Sequence, residues 1–347
     1  MLRLDGAYGE GGGALLRTAL VMSSLTMRPL EITGIRGNTP FPGLDAEDLC
    51  LVKALAQSTV AQLASADLGS ESVTFIPSRR PQGFHGRIPV VRNSSGRGSN
   101  ALVIANALLP VAARSGVYST FSVEGETYGS NVLTYDAFAE STTGVLRKLG
   151  LYAQSDLHES GFGRESKGMV NVEVEPSALN GLQWEDRGRL ISINARFVVT
   201  HLPVSVAERG LSHLRKLAQN ANIPLETESV EVSGQSQGAF CTVWARYERG
   251  AGSGSAAGAR GLRAEHVAQQ AFDQLFHWMR TSSTIDANLA DQILLAACMS
   301  EEPTIFTVSK LTERFLTQVW VIKQFLPILL MIKGSLGGPG TISIDRR

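Results

Sequence analysis

Hydrophobic residues recur at helical and at strand spacing in the first part of the chain. Apolar positions at residues 14–25 and 46–65 recur every three to four residues on one face, which predicts two helices. The segments at 29–35 and 72–77 are predicted to be strands, from apolar residues that alternate with polar ones and from their β-favouring residues. Residues 1–80 are therefore expected to fold as βαβαβ, with the helices on one side of a sheet.

The same order of elements recurs in the next part of the chain. Strands are predicted at 88–91, 120–124 and 170–174, and helices at 101–113 and 135–149. The recurrence predicts an internal structural repeat with a period of about 80 residues. The two copies differ in sequence, so the repeat is one of structure.

The character of the sequence changes near residue 182. Residues 182–280 are expected to form a smaller α/β domain inserted in the chain, and the glycine- and serine-rich stretch at 250–261 is predicted to be a mobile loop. Residues 281–347 supply the elements of a third copy of the repeat. The predicted fold class is α/β (α+β), with a large domain formed by residues 1–181 and 281–347.

Composition restricts the classes of function. The chain has 347 residues, of which 43% are hydrophobic and 18% are charged, which is enough for two domains with full cores. Lys plus Arg equals Asp plus Glu, at 32 each. The whole chain is therefore not an electrostatic nucleic-acid binder, and any contact with RNA must come from a local patch.

The cysteines and the most apolar segment indicate the cellular compartment in which the protein is expected. Three single cysteines stand in apolar surroundings without metal-ligand spacing, as expected of buried free thiols in a reducing compartment. The window at 315–332 contains Lys323 and Pro327, so we interpret it as a buried helix followed by a strand and not as a membrane span. With no recognisable signal peptide, we expect an intracellular protein, neither secreted nor membrane-bound, with nuclear and cytoplasmic placement equally open.

A run of glycines precedes the first predicted helix and contains one carboxylate, Glu10. The glycines are Gly6, Gly9, Gly11, Gly12 and Gly13. A glycine loop that leads into a helix presents unpaired N–H groups and a positive dipole end, which suits a phosphate. An ordinary tight turn is the plainer interpretation. No Gly-Lys-Ser/Thr follows, so the run is not a P-loop, and too short a strand precedes it for a dinucleotide fingerprint.

Two further positions could contribute chemistry. Asp291 and Gln292 open a predicted helix, where an amide could bind a base or ribose edge and a carboxylate a hydroxyl or metal ion. Alone, the pair is equally consistent with favourable charge in a first helical turn. Arg314, alone, would be a solvated or capping charge. The six histidines lack partners at metal-ligand spacing. Each is therefore more simply explained as a surface residue or as a residue whose hydrogen bonds are satisfied than as a catalytic one.

Read in order, segments along nearly the whole chain resemble the RNA 3′-terminal phosphate cyclase family. The matching segments are residues 10–13 with Arg17, 35–36, 42–44, 98–99, 109–110, 206–209, 289–292 and 325–327. The resemblance implies a large domain of three repeated units, each with two helices on a four-stranded sheet, and a small inserted α/β domain.

The resemblance also implies an activity of the ligase class and a set of site residues. In the family, a histidine attacks the α-phosphate of ATP, AMP passes to an RNA 3′-phosphate, and the 2′-hydroxyl closes a 2′,3′-cyclic end. ATP with a divalent metal ion (Mg or Mn) would be the cofactor, and RNA 3′ ends and RNA-processing proteins the partners. Glu10 would be a metal or phosphate-site carboxylate, while Arg17 and Arg36 would bind phosphates of RNA or ATP. The implied nucleotide-binding residues are Asn106, Asn288, Leu289, Ala290, Asp291 and Gln292.

The departures from the family pattern bear on catalysis. The family's nucleophilic histidine is here Arg314, and a guanidinium stays protonated and offers no free lone pair. Residues 37–39 lack one phosphate-binding arginine of the family, Asn288 replaces a frequent tyrosine, and residues 164–168 replace a glycine-rich turn.

Three functions of different class stay open. The first is an RNA 3′-terminal phosphate cyclase whose reaction is impaired by loss of the histidine. The second is a non-catalytic relative that binds RNA in RNA processing or ribosome biogenesis, although that branch usually alters the Glu-Gly-Gly-Gly run, which is intact here. The third, a small-molecule transferase such as an enolpyruvyl transferase, lacks the expected basic residues. We expect Glu10, Asp291 and Arg314 to face one another across one nucleotide-shaped cleft.

Overall fold

A computed structural model gives the structure of residues 1–93, 95–129, 132–163 and 167–346. These residues form three units of one architecture, each with two helical segments on a four-stranded mixed sheet, and one inserted α/β unit. The predicted fold class is thereby confirmed. Residues 164–166, which belong to the segment that replaces the family's glycine-rich turn, lie outside the described residues.

The first unit follows the order βαβαββ. Its elements are β1 (Leu2–Asp5), α1 (Gly13–Thr26), β2 (Leu30–Thr33), α2 (Ala46–Thr59), β3 (Gln62–Ala64) and β4 (Ser72–Ile76). Across the sheet the strands lie in the order β1-β2-β4-β3. The pair β1 and β2 is parallel, whereas β4 runs antiparallel to both of its neighbours.

The second unit repeats this order, except that a π-helix begins its second helical segment. Its elements are β5 (His85–Ile88), α3 (Ala101–Arg114), β6 (Ser119–Gly125), the π-helix (Ala137–Thr142), α4 (Thr143–Lys148), β7 (Ala153–Glu159) and β8 (Gly168–Val174). The sheet order, β5-β6-β8-β7, is equivalent to that of the first unit.

The third unit is interrupted after its first strand. Strand β9 (Gln183–Trp184) pairs with a strand near the C-terminus, and the inserted unit follows it directly in the chain. The inserted elements are β10 (Leu190–Thr200), α5 (Val204–Asn220), β11 (Glu226–Glu231), β12 (Gly238–Tyr247), β13 (Gly250–Ala257) and α6 (Ala264–Met279). The third unit then resumes with α7 (Ala287–Met299), β14 (Thr304–Val308), α8 (Glu313–Phe325), β15 (Ile328–Gly334) and β16 (Gly340–Arg346), and its sheet order is β15-β16-β14-β9.

Buried apolar residues form two main cores, which separate the inserted unit from the rest. One core joins the three repeated units, and the other lies between residues 193 and 278. Within the part of the chain that the structure describes, no helix combines the length and apolar character needed to cross a membrane.

Two predicted boundaries differ from the structure. The helix predicted to reach residue 65 ends at Thr59, because Val60 adopts a left-handed backbone (φ 48°) and residues 62–64 pair with β4 instead. The strand predicted at 88–91 lies earlier, at His85–Ile88. It ends before Pro89, which has no N–H to donate to a sheet.

The glycine- and serine-rich stretch at 250–261 was predicted to be a mobile loop, and this is wrong for most of it. Residues 250–257 form β13, which pairs with β12 along its whole length. A Cβ on Gly252 would lie 2.5 Å from the ring of Trp278, and a Cβ on Gly254 would overlap the carbonyl oxygen of Ala271. The missing side chains therefore let α6 pack directly on the strand.

The first helices of the three repeated units meet at the centre of the large domain. Helix α3 contacts both α1 and α7. Residues near the N-terminal ends of α1, α3 and α7 line one cavity. That cavity is the cleft described next.

Candidate active site

A cleft of about 840 Å³ lies where the repeated units and the inserted unit meet. The ends of α1, α3, α7 and α8 line it, and β13 and α6 of the inserted unit complete its wall. Most of the site residues expected from the sequence are brought together there: Glu10, Arg17, Arg36, Asn106, Asn288, Asp291, Gln292 and Arg314. Leu289 and Ala290 are not in the lining, because both side chains are buried in the core.

The glycine loop lies against α8, and this contact positions Glu10. Gly9 has a positive φ of 61°, and a Cβ there would overlap Oγ1 of Thr317. The backbone N–H of Glu10 donates to the same Thr317 hydroxyl at 3.0 Å. A side chain at position 9 would therefore push the loop, and Glu10 with it, away from the helix.

Arg314 joins three distant segments of the chain. Its Nε donates to Oε1 of Glu10 at 3.2 Å, and its Nη1 lies 3.9 Å from Oδ2 of Asp291. Thr312 caps α8 by accepting from the N–H of Phe315 at 3.0 Å, and its hydroxyl lies 3.5 Å from Oδ1 of Asp291. The guanidinium is thus held between two carboxylates at the cleft surface.

Asp291 has an unusual protonation equilibrium. Burial raises the pKa of its carboxyl to about 7, and the negative charge of Glu10 acts in the same direction. The positive charge of Arg314 opposes the rise in pKa but does not cancel it. Asp291 therefore exchanges a proton near neutral pH.

The guanidinium groups of two arginines lie beside the N-terminal end of α1. Arg36 donates to Oδ2 of the fully buried Asp48 through Nε at 3.0 Å and Nη2 at 2.6 Å, while Arg17 donates to Glu47 at 3.1 Å. A Cβ on Gly13 would lie 2.6 Å from Nη1 of Arg17 and 2.7 Å from Nη2 of Arg36. Glycine at position 13 therefore lets both guanidinium groups reach the helix end.

No side chain among the described residues caps α1. Its N-cap is Gly12, whereas α2, α3, α7 and α8 all have side-chain caps. The uncapped N–H groups of α1 are donors that a phosphate oxygen could accept from, and beside them lie Arg17 and Arg36, each paired with a carboxylate.

Polar groups suited to a nucleoside also line the cleft. Asn106 donates from Nδ2 to the backbone carbonyl of Gln292 at 3.2 Å, and its Oδ1 is buried without a partner. The hydroxyl of Thr142, at the end of the π-helix, donates to the side-chain oxygen of Gln292. The orientation of both amides is therefore set, and the Asn106 oxygen is left as an acceptor for an amino or hydroxyl group.

The residues present do not fit a resident divalent metal ion. Glu10 has one buried, unpartnered oxygen, Oε2. However, no group of three or more His, Cys, Asp or Glu residues in the described ranges is arranged to hold a metal. Glu10 and Asp291 already share a cation, the guanidinium of Arg314.

Sequence reasoning missed several residues of the cleft. Glu47 pairs with Arg17 and accepts from the backbone N–H of Asn100 at 3.2 Å, yet an acidic residue in a first helical turn carries no special signal. Arg97 lines the cleft from a segment with no recognisable motif, and the same holds for the segment of the buried Thr142, which contributes only through its bond to Gln292. Ser253 and Ser255 come from the inserted unit, whose position against the cleft cannot be read from local patterns.

Comparisons with known proteins agree on one family. A family model described as "RNA 3′-terminal phosphate cyclase" matches residues 8–332. A protein of that name from Methylococcus capsulatus is 33% identical over 329 residues, covering 94% of this chain and 91% of its own. Proteins of the same name from Thermococcus kodakarensis (32% identical, 99% of this chain, 98% of its own) and Pyrococcus furiosus (30% identical, 100% and 99%) are similar along the full length.

Proposed function

The chain belongs to the RNA 3′-terminal phosphate cyclase family, and from this premise we propose that it binds ATP and a phosphorylated RNA 3′ end without becoming adenylylated. The observation that carries the proposal is Arg314. By the sequence resemblance it takes the position of the family's nucleophilic histidine, and in the structure it lies between Glu10 and Asp291.

The chemistry of the guanidinium explains why the covalent step is lost. A neutral imidazole has a lone pair that can attack the α-phosphate of ATP, whereas a guanidinium carries five N–H donors and no acceptor. A guanidinium keeps its proton at physiological pH, and the Nε–H of Arg314 already donates to Glu10. Arg314 can therefore attract a phosphate but cannot form a bond to it.

Binding capacity is retained in the rest of the cleft. The uncapped end of α1, with Arg17 and Arg36, supports binding of a terminal phosphate. Asn106 and Gln292 support binding of the adenosine part of ATP, because both line the cleft and each side-chain amide is oriented by a hydrogen bond, that of Asn106 to the Gln292 backbone carbonyl and that of Gln292 from the Thr142 hydroxyl. The covalent intermediate is lost, and two binding subsites remain.

A second candidate function is RNA binding without a nucleotide, in RNA processing. Asn288 favours it, since this exposed amide replaces an aromatic residue frequent at this position in the family and so removes a surface for adenine stacking. The two candidates differ in one measurable property, the affinity for ATP.

Equilibrium titrations test the proposal and separate the candidates. We expect RNA that ends in a 3′-phosphate to bind at least about fivefold more tightly than the same RNA with a 3′-hydroxyl, because charge-assisted hydrogen bonds are lost with the phosphate. We expect measurable ATP binding that weakens about fivefold in Asn106→Ala and not in the exposed control Asn220→Ala.

The outcomes have distinct meanings. Equal affinity for the two RNA ends would contradict the phosphate subsite. Selective binding of the 3′-phosphate without binding of ATP would establish the second candidate in place of the first.

A further inference from the structure

We propose that the stacked pair Tyr8 and Trp320 is a platform for an unpaired RNA base, the base next to the terminal nucleotide. The inference rests on the proposed function, since it extends the RNA 3′-end subsite beyond the cleft. It adds a contact that ATP does not make.

The two rings form a supported aromatic surface. Their centroids are 4.0 Å apart and their planes differ by 20°. Trp320 is partly buried and packs against the large core, whereas Tyr8 is 43% exposed. One face of the Tyr8 ring is thus held by Trp320, and the other face is open to a ligand. A nucleobase stacks on such a face without regard to its sequence.

The platform is continuous with the cleft along α8. The side chain of Glu10 contacts Arg314, its backbone N–H donates to Thr317, and Tyr8 stacks on Trp320, so the glycine loop follows the helix for two turns. At 1.5 Å per residue, Trp320 lies about 9 Å along the helix axis from Arg314. Tyr8 precedes Gly12, the N-cap of α1, by four residues, so the platform and the proposed phosphate subsite belong to one loop, and an RNA with its terminal phosphate at α1 can place its neighbouring nucleotide on Tyr8.

Tyr8 itself does not line the cleft, whereas Asn106 and Gln292 do. A mononucleotide bound in the cleft has no second base to place on the platform. Tyr8 is therefore expected to distinguish an RNA chain from a single nucleotide.

A second exposed aromatic residue lies on the adjoining loop. Phe41 is 84% exposed, and its loop is tied to the glycine loop by a hydrogen bond from Nδ2 of Asn38 to the carbonyl of Ala7 at 3.0 Å. Arg36 opens the same loop and reaches the end of α1. Exposed aromatic rings beside a guanidinium suit single-stranded nucleic acid, which offers bases and phosphates in alternation.

The test compares ligands that do and do not carry the neighbouring base. The protein is titrated with a six-nucleotide RNA 3′-phosphate, with the same RNA lacking its penultimate base, and with adenosine 3′-monophosphate. Tyr8→Ala is expected to weaken the intact RNA about 5- to 100-fold and to leave the other two ligands unchanged. Tyr8→Phe is expected to behave as wild type, and so is Tyr152→Ala, which removes an exposed tyrosine elsewhere (49% exposed).

Each other outcome overturns the inference. If Tyr8→Ala binds the intact RNA as wild type does, Tyr8 is no platform. If it weakens all three ligands equally, the stack only holds the glycine loop in place. A fourth titration of wild type uses the same RNA with a 3′-hydroxyl. If this RNA binds as tightly as the 3′-phosphate form, the proposed function fails, whereas it survives the first two results.

Discussion

Arg314 holds a fixed positive charge at the point where the glycine loop, α7 and α8 meet. Its partners are Glu10 at 3.2 Å and Asp291 at 3.9 Å. A histidine at this position could be neutral at physiological pH, but an arginine cannot. Arg314 therefore serves as an ion-pair partner and offers no lone pair, which is the physical basis of the proposed loss of the covalent step.

Asp291 gives a pH dependence that can be measured. Its pKa is about 7 in the folded protein and near 3.8 when the chain is unfolded, so the folded state binds the extra proton between these values. The stability that this group contributes is present below pH 4 and is lost as pH rises toward and through 7. Asn resembles the protonated acid at every pH, so the stability of Asp291→Asn relative to wild type should be higher at pH 8 than at pH 5.

Urea unfolding of both proteins at the two pH values checks this prediction. Other carboxylates titrate equally in both proteins, so their contributions cancel in the difference. An unchanged difference between pH 5 and pH 8 would show that Asp291 is ionised throughout that range.

The candidate site was predictable through the family resemblance, since Asp291 and Arg314 taken alone are equally consistent with charges at helix ends. Glu10, Asp291 and Arg314 stand out within motifs, and the structure brings them together. Leu289 and Ala290 belong to the same motif, but helical geometry turns their side chains into the core. Glu47 gave no signal because its importance comes from Arg17, which is distant in sequence.

At the scale of elements, glycine-rich sequence forms a loop in one segment and a regular strand in another. In residues 6–13 it permits positive φ angles at Gly9 and Gly11, as the loop prediction required. In β13 it permits close packing of α6, so the segment is a regular strand. Composition alone cannot separate these cases, since only the tertiary neighbour of each glycine decides between them.

The π-helix was likewise not predictable from hydrophobic spacing, which indicated one continuous helix at 135–149. Its wider turn ends at Thr142, whose hydroxyl donates to the side chain of Gln292. Such π-helical turns are frequent at functional sites, where they redirect individual side chains.

We expect Thr142→Val to weaken ATP binding about fivefold, because the Gln292 amide loses the contact that orients it. The matched control is Thr143→Val, since that hydroxyl donates only to the carbonyl of Ala139 in the same helical segment, at 2.7 Å. Isothermal titration with ATP distinguishes the two variants. Equal weakening by both would mean that the π-helix acts through stability and not through Gln292.

At the scale of the molecule, the cleft depends on how the inserted unit is held against the second repeated unit. Arg196 of β10 donates to the buried Asp136 at 2.9 Å and lies 3.5 Å from Glu140 of the π-helix. Burial raises the pKa of Asp136, and the charge of Arg196 opposes this rise. The ion pair therefore ties the wall of the cleft formed by β13 to the helix that supports Gln292.

Arg196→Met should destabilise the protein by about 3 kcal/mol, because it leaves the Asp136 carboxylate buried and unpaired. Arg189→Met is the matched control: Arg189 lies on the same inserted unit, is largely exposed and pairs with Glu248 at 2.7 Å. It should cost less than about 1 kcal/mol. Denaturant unfolding measures both, and equal losses would show that the interface pair has no special role.

The order of units was predictable from periodicity, but their meeting point was not. Repeated βαβαββ units explain why α1, α3 and α7 are equivalent, while the contact between their ends depends on packing over the whole chain. The prediction that Glu10, Asp291 and Arg314 share one cleft came instead from the resemblance in sequence to the family.

The most direct test of this account is covalent labelling. Wild type and Arg314→His are incubated with α-labelled ATP and a divalent ion, then separated by denaturing electrophoresis. We predict no labelled band for wild type, because a guanidinium cannot attack phosphorus, and a labelled band for Arg314→His, because the remaining cleft is assembled. A labelled wild-type band would contradict the account.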